Sequence, residues 1–180
     1  MKRNTGFFSF AAFCVLLLSS CSPALSPFTE STYQAFTVDD LKKVQFYLST
    51  DVILQRAASE GSAQISGGKI RMVNGRRVEE VIIPANTKGV VIGSPKDNRV
   101  AVSFEAGSDR FLMFGPNPKR RNDFVLLAKD WENDYGTVTY DGQEWQVPSR
   151  SAYATLLIDM DKYSKTTYST RKAKGRSVND

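Results

Sequence analysis

The chain has 180 residues, with 24 Lys and Arg against 19 Asp and Glu, two Cys and no His, so that its formal net charge is +5. This length suits one domain of ordinary size, and the composition is that of a globular protein. Without histidine the chain cannot build a Ser-His-Asp triad, a Cys-His pair or a zinc site that uses imidazole.

The first residues have the three parts of an export signal. Lys2 and Arg3 are followed by an apolar run over Phe7–Leu18, which closes on Ser19-Ser20-Cys21. The run is shorter than the roughly 20 apolar residues of a membrane-spanning helix. The sequence therefore predicts a removable secretory signal over residues 1–20.

The end of this signal, Leu18-Ser19-Ser20-Cys21, resembles the lipobox of bacterial lipoproteins. The resemblance implies that the Cys21 thiol takes a diacylglyceryl group, that the peptide is cut before Cys21, and that the new amine is acylated. Several acyl chains hold a protein stably at a membrane. Cys14 would leave with the signal, so the mature chain would have no free thiol for a disulfide, a metal or catalysis. An ordinary signal peptide with a chance cysteine is the alternative.

The residues after Cys21 bear on location. In lipoproteins an aspartate directly after the cysteine commonly marks inner-membrane retention, and an acidic cluster just beyond marks surface display in some lineages. Here Ser22 follows the cysteine, and the first acid is Glu30. By that resemblance we expect the inner leaflet of the outer membrane, with the domain in the periplasm.

The rest of the chain divides into three parts. Ser22–Gln34 contains two prolines and little apolar periodicity, which favours a lipidated tether over residues 21–35. Residues 36–162 are expected to form a single β domain. Residues 163–180 are expected to form a basic tail.

The apolar residues of the domain recur at every second position, as in half-buried strands. We expect an all-β fold, an antiparallel small barrel or sandwich, with at most a short helical turn near residues 38–43 that Thr37 and Asp40 would cap. The alternating sets are Val44, Phe46, Leu48, Val52 and Leu54, predicted as one long strand; Val100, Val102 and Phe104; and Ala152, Ala154, Leu156, Ile158 and Met160.

Asp141-Gly142 predicts a two-residue hairpin turn. That turn would set Val138 opposite Trp145 and Tyr140 opposite Gln143. We expect Val138 and Trp145 to pack on the buried face.

Asn74-Gly75 is a second turn signal. A two-residue turn there would set Met72 opposite Arg77, which mixes polar and apolar faces. A three-residue connection with a bulge would instead set Met72 against Val78, and this is the expected arrangement.

Residues 83–104 contain Thr87-Lys88-Gly89, a run of valines and a return through Val100–Phe104. This pattern resembles part of an SH3-like small barrel. The resemblance implies binding of peptides, polymers or other proteins, although fold alone does not fix function. A generic β-hairpin is the alternative.

Asp130-Trp131-Glu132-Asn133-Asp134 sets three acids at alternate positions beside an aromatic ring. Such a stretch could bind calcium, or present paired acids and a ring to a sugar. It departs from the calcium-loop pattern, because Gly136 comes one residue late and Asp141 replaces the closing glutamate. A polar turn between two strands is the simpler interpretation, and we expect no metal and no cofactor.

Two basic clusters are candidate binding residues. Lys119, Arg120 and Arg121 lie in a Pro-rich connection after Phe114-Gly115-Pro116, and the tail carries Arg171, Lys172, Lys174 and Arg176. Export removes the chain from nucleic acid and leaves anionic partners of the envelope. A solvated tail without a partner is the alternative.

The sequence therefore predicts an outer-membrane lipoprotein that works by binding and is not an enzyme. Its partners would be the membrane, through the lipid on Cys21, and an envelope protein, as an accessory of a secretion or assembly complex. Alternatively, it is a cell-wall or glycan-binding module that uses exposed aromatics such as Trp131 and Trp145. A hydrolase based on carboxylates comes third. Exposed aromatics lining one groove would favour the glycan-binding module.

Overall fold

The structure, a computed structural model, describes residues 24–58, 69–73, 76–95 and 98–162. Within these residues the chain forms thirteen strands, two short α-helices and two 3₁₀ turns. The strands are β1 Leu25–Pro27, β2 Phe46–Leu48, β3 Val52–Ala57, β4 Lys69–Val73, β5 Arg76–Ile83, β6 Lys88–Gly93, β7 Val100–Ser103, β8 Phe111–Asn117, β9 Asp123–Leu126, β10 Trp131–Glu132, β11 Tyr135–Tyr140, β12 Gln143–Pro148 and β13 Leu156–Asp159. The helices are α1 Glu30–Gln34 and α2 Val38–Leu41, and the 3₁₀ turns are Pro118–Arg120 and Ser149–Tyr153.

The strands form two antiparallel sheets, which confirms the all-β prediction. The first has seven strands in the order β1-β13-β2-β6-β7-β8-β9, and the second has six in the order β10-β11-β12-β3-β5-β4. Backbone hydrogen bonds also join the two edges of the seven-stranded sheet. Phe124 N in β9 donates to Phe28 O at 2.8 Å, and Leu126 N donates to Ala154 O at 3.0 Å. The first sheet is thereby closed along this seam.

The predicted long strand over residues 44–54 is wrong, although its inward residues are right. The segment is two strands, β2 and β3, which belong to different sheets. The chain turns between them because Ser49 exchanges hydrogen bonds with Thr155 and the Asp51 carboxylate accepts the backbone N–H of Ala85. Each of the two strands buries one face of its sheet, so the period-two pattern of apolar residues continues on both sides of the corner. The predicted residues of β2 and β3 are fully buried: Phe46, Leu48, Val52 and Leu54.

One hydrophobic core draws on both sheets. The alternating set near the end of the domain contributes Ala154, Leu156 and Ile158, each fully buried. Its outer members differ from the expectation, because Ala152 lies in a 3₁₀ turn and Met160 is exposed. Residues 83–104, which resemble part of an SH3-like barrel, form the end of β5 and the β6–β7 hairpin.

The hairpin at Asp141-Gly142 has the predicted register. Val138 faces Trp145, and Tyr140 faces Gln143. Both turn residues have positive φ, 51° and 67°, as a type I′ turn requires. Trp145 is 3% exposed and its indole N–H donates to Tyr140 O at 2.9 Å.

The expected three-residue connection between β4 and β5 is wrong. Met72 faces Arg77, and Val73 faces Arg76, so that two residues separate the strands. Asn74 and Gly75 themselves lie outside the described residues. This register places polar and apolar residues on the same face of the sheet. It is tolerated because the neighbouring buried residues of β5 are themselves polar. The buried carboxylate of Glu79 accepts from Arg56 at 2.6 Å, and that of Glu80 accepts from Gln55 at 2.9 Å.

The expectation of a tether over residues 21–35 is wrong from Leu25 onward. Strand β1 pairs with β13 over its whole length. The Phe28 ring, which follows it, is fully buried, and α1 then packs Tyr33 on Phe124 with ring centroids 5.4 Å apart. The prolines and weak periodicity masked a strand because only a few of its side chains face the core.

Two helices precede β2, one more than predicted. The predicted turn is α2, where Thr37 and Asp40 form a reciprocal capping box. The hydrogen bond that the Asp40 carboxylate accepts from the Thr37 hydroxyl lowers the pKa of this exposed carboxyl group. The additional helix is α1, whose first turn is capped by Thr29. Within the described ranges, no helix has the length and apolarity to span a membrane.

Candidate binding groove

A surface groove of about 460 Å³ lies between the β8–β9 connection and the β10–β11 turn. Val125 and Leu126 of β9 form its floor and are almost fully buried. Its walls combine two half-exposed aromatic rings with prolines and a carboxylate: Trp131, Tyr153, Pro116, Pro118 and Asp134. We call this feature the aromatic groove.

Trp131 forms one wall of the aromatic groove and is held by a tight hairpin. Strands β10 and β11 are joined by Asn133-Asp134, whose positive φ values of 46° and 69° suit a two-residue turn. The hairpin sets Trp131 opposite Gly136, and a Cβ at that glycine would lie 2.9 Å from the indole ring. The ring therefore lies directly over the Gly136 backbone, as aromatic side chains do when they cover a glycine in a sheet. Trp131 is 43% exposed.

Tyr153 is the second aromatic ring that lines the aromatic groove. It ends the 3₁₀ turn Ser149–Tyr153 and is 57% exposed. The Arg120 guanidinium lies 5.4 Å from the centroid of its ring, within the range of a cation–π contact. A basic side chain thus borders the aromatic groove at this ring.

The basic cluster at residues 119–121 is exposed and lies on a defined turn. Asn117 caps the 3₁₀ turn Pro118–Arg120 by accepting the N–H of Lys119 at 3.0 Å, and Arg121 adopts a left-handed backbone with φ of 54°. Phe114-Gly115-Pro116, which precedes the predicted Pro-rich connection, belongs to β8. All three pair with β9, and Pro116 is accommodated because it lies past Phe114, the last residue of β8 that pairs with β7.

The structure separates the two tryptophans that the sequence offered as binding residues. Trp131 lines the aromatic groove. Trp145 is buried under Arg56, whose guanidinium lies 4.6 Å from the ring centroid, so its proposed role as an exposed binding ring is wrong. Cys21 and the four basic tail residues, Arg171, Lys172, Lys174 and Arg176, lie outside the described residues.

The acidic stretch Asp130–Asp134 is the polar turn that the simpler interpretation predicted. Its residues form β10 and the turn into β11, and Ser149 N donates to Asp134 O at 2.7 Å. Among the residues that the structure describes, no three Asp, Glu, Cys or His side chains gather into a possible metal site.

Sequence reasoning missed Tyr153. The alternating pattern was read as a strand through Ala152, whereas the chain there is a 3₁₀ turn that directs Tyr153 outward. Pro148, the last residue of β12, was a signal for a turn directly after it, because proline is common at the boundaries of strands and turns.

A titratable cluster lies outside the aromatic groove and braces two loops. The Tyr140 hydroxyl donates to the Glu105 carboxylate, while Arg110 reaches Glu105 at 3.8 Å and Asp141 at 3.4 Å. Burial of the ring, followed by the hydrogen bond to Glu105, raises the pKa of Tyr140 above its ordinary value of 10.0. The hydrogen bond that Arg110 donates to the Asp141 carboxylate likewise raises the pKa of Arg110. The β7–β8 loop is thereby tied to the β11–β12 hairpin.

This brace should make the protein less stable at high pH. A raised pKa means that the folded state holds the Tyr140 proton more tightly than the unfolded chain does. The contribution of this shift to the free energy of unfolding is complete below a pH of about 10, the ordinary pKa of tyrosine in the unfolded chain. It is lost as the pH rises further. Urea unfolding between pH of about 9 and 11 should show this loss, and Tyr140→Phe should reduce the pH dependence. Identical pH dependence in both proteins would contradict the proposed linkage.

No protein-family model matches the chain, and neither the curated proteins nor the solved structures compared with it give a match.

Proposed function

We propose that the protein is a lipoprotein of the outer membrane that faces the periplasm and binds a cell-wall glycan in the aromatic groove. The anchor and the location rest on the resemblance of Leu18–Cys21 to a lipobox. The binding role rests on the groove, and it requires no catalysis. The observation that carries it is the pair Trp131 and Tyr153, both about half exposed and both lining one groove.

The aromatic rings suit a sugar chain. The apolar C–H faces of a pyranose ring stack on aromatic side chains, which supply a large contact area at a low cost in conformational entropy. Trp131 is already fixed by Gly136 and its tight turn, so little order has to be gained on binding. A groove with an apolar floor and a few polar groups is also the usual form of a ligand site.

The charges at the rim suit an anionic polymer. Arg120 stands over the Tyr153 ring, and Lys119 and Arg121 flank it in the chain. Carboxylate groups of cell-wall glycan could meet these cations while the sugar rings stack on Trp131. Because the cluster is exposed, this attraction should weaken as salt is added.

Trp131→Ala should lower retention on purified peptidoglycan sacculi by about tenfold or more, as loss of a central aromatic contact commonly does. Tyr135→Ala is the matched control, because Tyr135 is 42% exposed on the neighbouring strand and does not line the groove. The control should bind within about twofold of the original protein. Sedimentation with sacculi measures both.

Two outcomes would overturn the glycan assignment. One is equal retention of the original protein and Trp131→Ala. The other is absence of sacculus binding together with crosslinking of an envelope protein that Trp131→Ala abolishes. That second result would make the groove a protein-docking site and favour the role as an accessory of an envelope complex.

A further inference from the structure

The aromatic groove is lined by a single charged side chain. Of the described residues that line it, only Asp134 is charged, and the others are apolar, aromatic or neutral polar. Asp134 is exposed, and among the described residues its carboxylate forms no hydrogen bond and no ion pair. This carboxylate therefore shares the groove with the Trp131 and Tyr153 rings.

The backbone of Asp134 is held in place, so that its carboxylate is attached to a fixed point. Its φ of 69° suits the turn between β10 and β11, and its carbonyl accepts the N–H of Ser149 at 2.7 Å. The same hairpin carries Trp131, whose ring covers Gly136. One preformed element thus presents both the carboxylate and the indole ring to a ligand.

A ligand that fills the groove displaces water from Asp134. Covering an ionised carboxylate is unfavourable unless the ligand supplies a hydrogen-bond donor, and a charged donor forms the stronger bond. Sugar hydroxyl groups donate hydrogen bonds but leave the negative charge uncompensated. A primary ammonium group supplies both the donor and the charge, and it is also attracted to the face of an indole ring such as that of Trp131. The groove therefore favours a ligand with a free amine.

Asp134 and the rim cation Arg120 contact opposite ends of one 3₁₀ turn. Asp134 bonds to Ser149, the first residue of the turn, and Arg120 lies over the ring of Tyr153, the last residue. Five residues in this conformation extend about 8 Å. Carboxylate groups of a ligand are attracted to Arg120 and repelled by Asp134. The two charges suit a ligand that carries an ammonium and a carboxylate group at separate points along its length.

We propose that Asp134 determines the specificity of the aromatic groove by binding a primary ammonium group of the cell-wall polymer. This inference rests on the glycan binding of the proposed function and names the group of the polymer that is recognised. An amino sugar without its acetyl group carries such an ammonium group, and so does a diamino acid of a peptide stem. A polymer whose amines are all acetylated lacks it and should bind more weakly.

The first test measures sedimentation of the chain without residues 1–20, with Cys21→Ser, on sacculi before and after N-acetylation of their amines. Acetylation should lower retention of this parent chain about fivefold, as loss of an exposed charge-assisted hydrogen bond would. Asp134→Asn should lower retention on untreated sacculi by the same factor, and acetylation should then change its retention by less than about twofold. Asparagine adopts a positive φ as readily as aspartate, so this variant should keep the turn.

Asp130→Asn is the matched control, because Asp130 is an exposed acid of the same stretch that does not line the groove. It should show the same acetylation effect as the parent chain. Full retention of Asp134→Asn, or an undiminished acetylation effect in that variant, would overturn this role of Asp134. Retention that depends on Trp131 but not on Asp134 would leave the glycan assignment in place, whereas retention that depends on neither residue would overturn both.

Soluble competitors identify the source of the amine. Glucosamine oligomers are compared with N-acetylglucosamine oligomers, and a stem peptide with a free side-chain amine is compared with its acetylated form. Displacement of the parent chain by the free-amine oligomer alone assigns the ammonium group to the sugar, and displacement by the free-amine peptide alone assigns it to the stem. Equal displacement by the free and acetylated forms of both competitors would overturn the proposal.

Discussion

Phe28→Ala should lower the free energy of unfolding by about 3–5 kcal/mol, the usual effect of truncating a buried phenylalanine. The ring is fully buried at the seam of the seven-stranded sheet. Its centroid lies 4.8 Å from that of Phe124 and 5.1 Å from that of Phe46. Removing it opens a cavity where β1, β2 and β9 meet. The backbone hydrogen bonds of Phe28 to Leu156 of β13 and Phe124 of β9 limit collapse around the cavity.

Urea unfolding of the chain without residues 1–20 measures this change, with Cys21→Ser present to keep the protein free of lipid. Val38→Ala is the control, because Val38 is an apolar side chain only ten residues away and is 47% exposed. Its effect should stay within about 0.5 kcal/mol. If Phe28→Ala cost less than about 1 kcal/mol, residues 24–34 would behave as a tether and the seam would not be part of the cooperative fold.

The fold class could be predicted because the core residues repeat at every second position. The same pattern identified the inward residues of β2, β3 and β13 and the Val138–Trp145 pair. It could not show that the chain changes sheets at Ser49–Asp51. Alternation continues through such a corner, and the side-chain hydrogen bonds of Ser49 and Asp51 that hold the corner involve residues far along the chain.

The candidate site was only partly accessible to sequence reasoning. Trp131 was identified beside a polar turn, while the register of the Asp141-Gly142 hairpin set Trp145 opposite Val138 on the expected buried face. The difference depends on the partner across the strand, since Trp145 faces Val138 in the core and Trp131 covers Gly136 at the edge. Tyr153 joins the groove only through tertiary packing between a 3₁₀ turn and the β8–β9 connection.

The N-terminal segment shows the limit of compositional evidence. Ser and Pro suggested a tether, yet one large ring, Phe28, and a few backbone bonds suffice to fix the segment in the sheet. This placement changes what the anchor does. Under the proposed anchor, a domain that begins four residues after Cys21 would be held close to the bilayer.

Cys21→Ser should abolish lipidation and with it stable membrane attachment. The thiol is the only acceptor that the lipobox resemblance offers, and each buried acyl methylene contributes about 0.8 kcal/mol to membrane binding. The variant should therefore be found as uncleaved precursor or as protein that a high-salt wash releases, whereas the original protein should resist the wash.

Cys14→Ser is the matched control, because Cys14 would leave with the signal and its replacement should change neither acylation nor fractionation. Mass measurement of the N-terminal peptide distinguishes an acylated Cys21 from a free one, and protease added to intact cells reports orientation. A Cys21→Ser protein that is still acylated and membrane-bound would refute the anchor. Rapid digestion of the original protein on intact cells would leave the anchor in place but move the domain from the periplasm to the cell surface, out of reach of the glycan proposed for the groove.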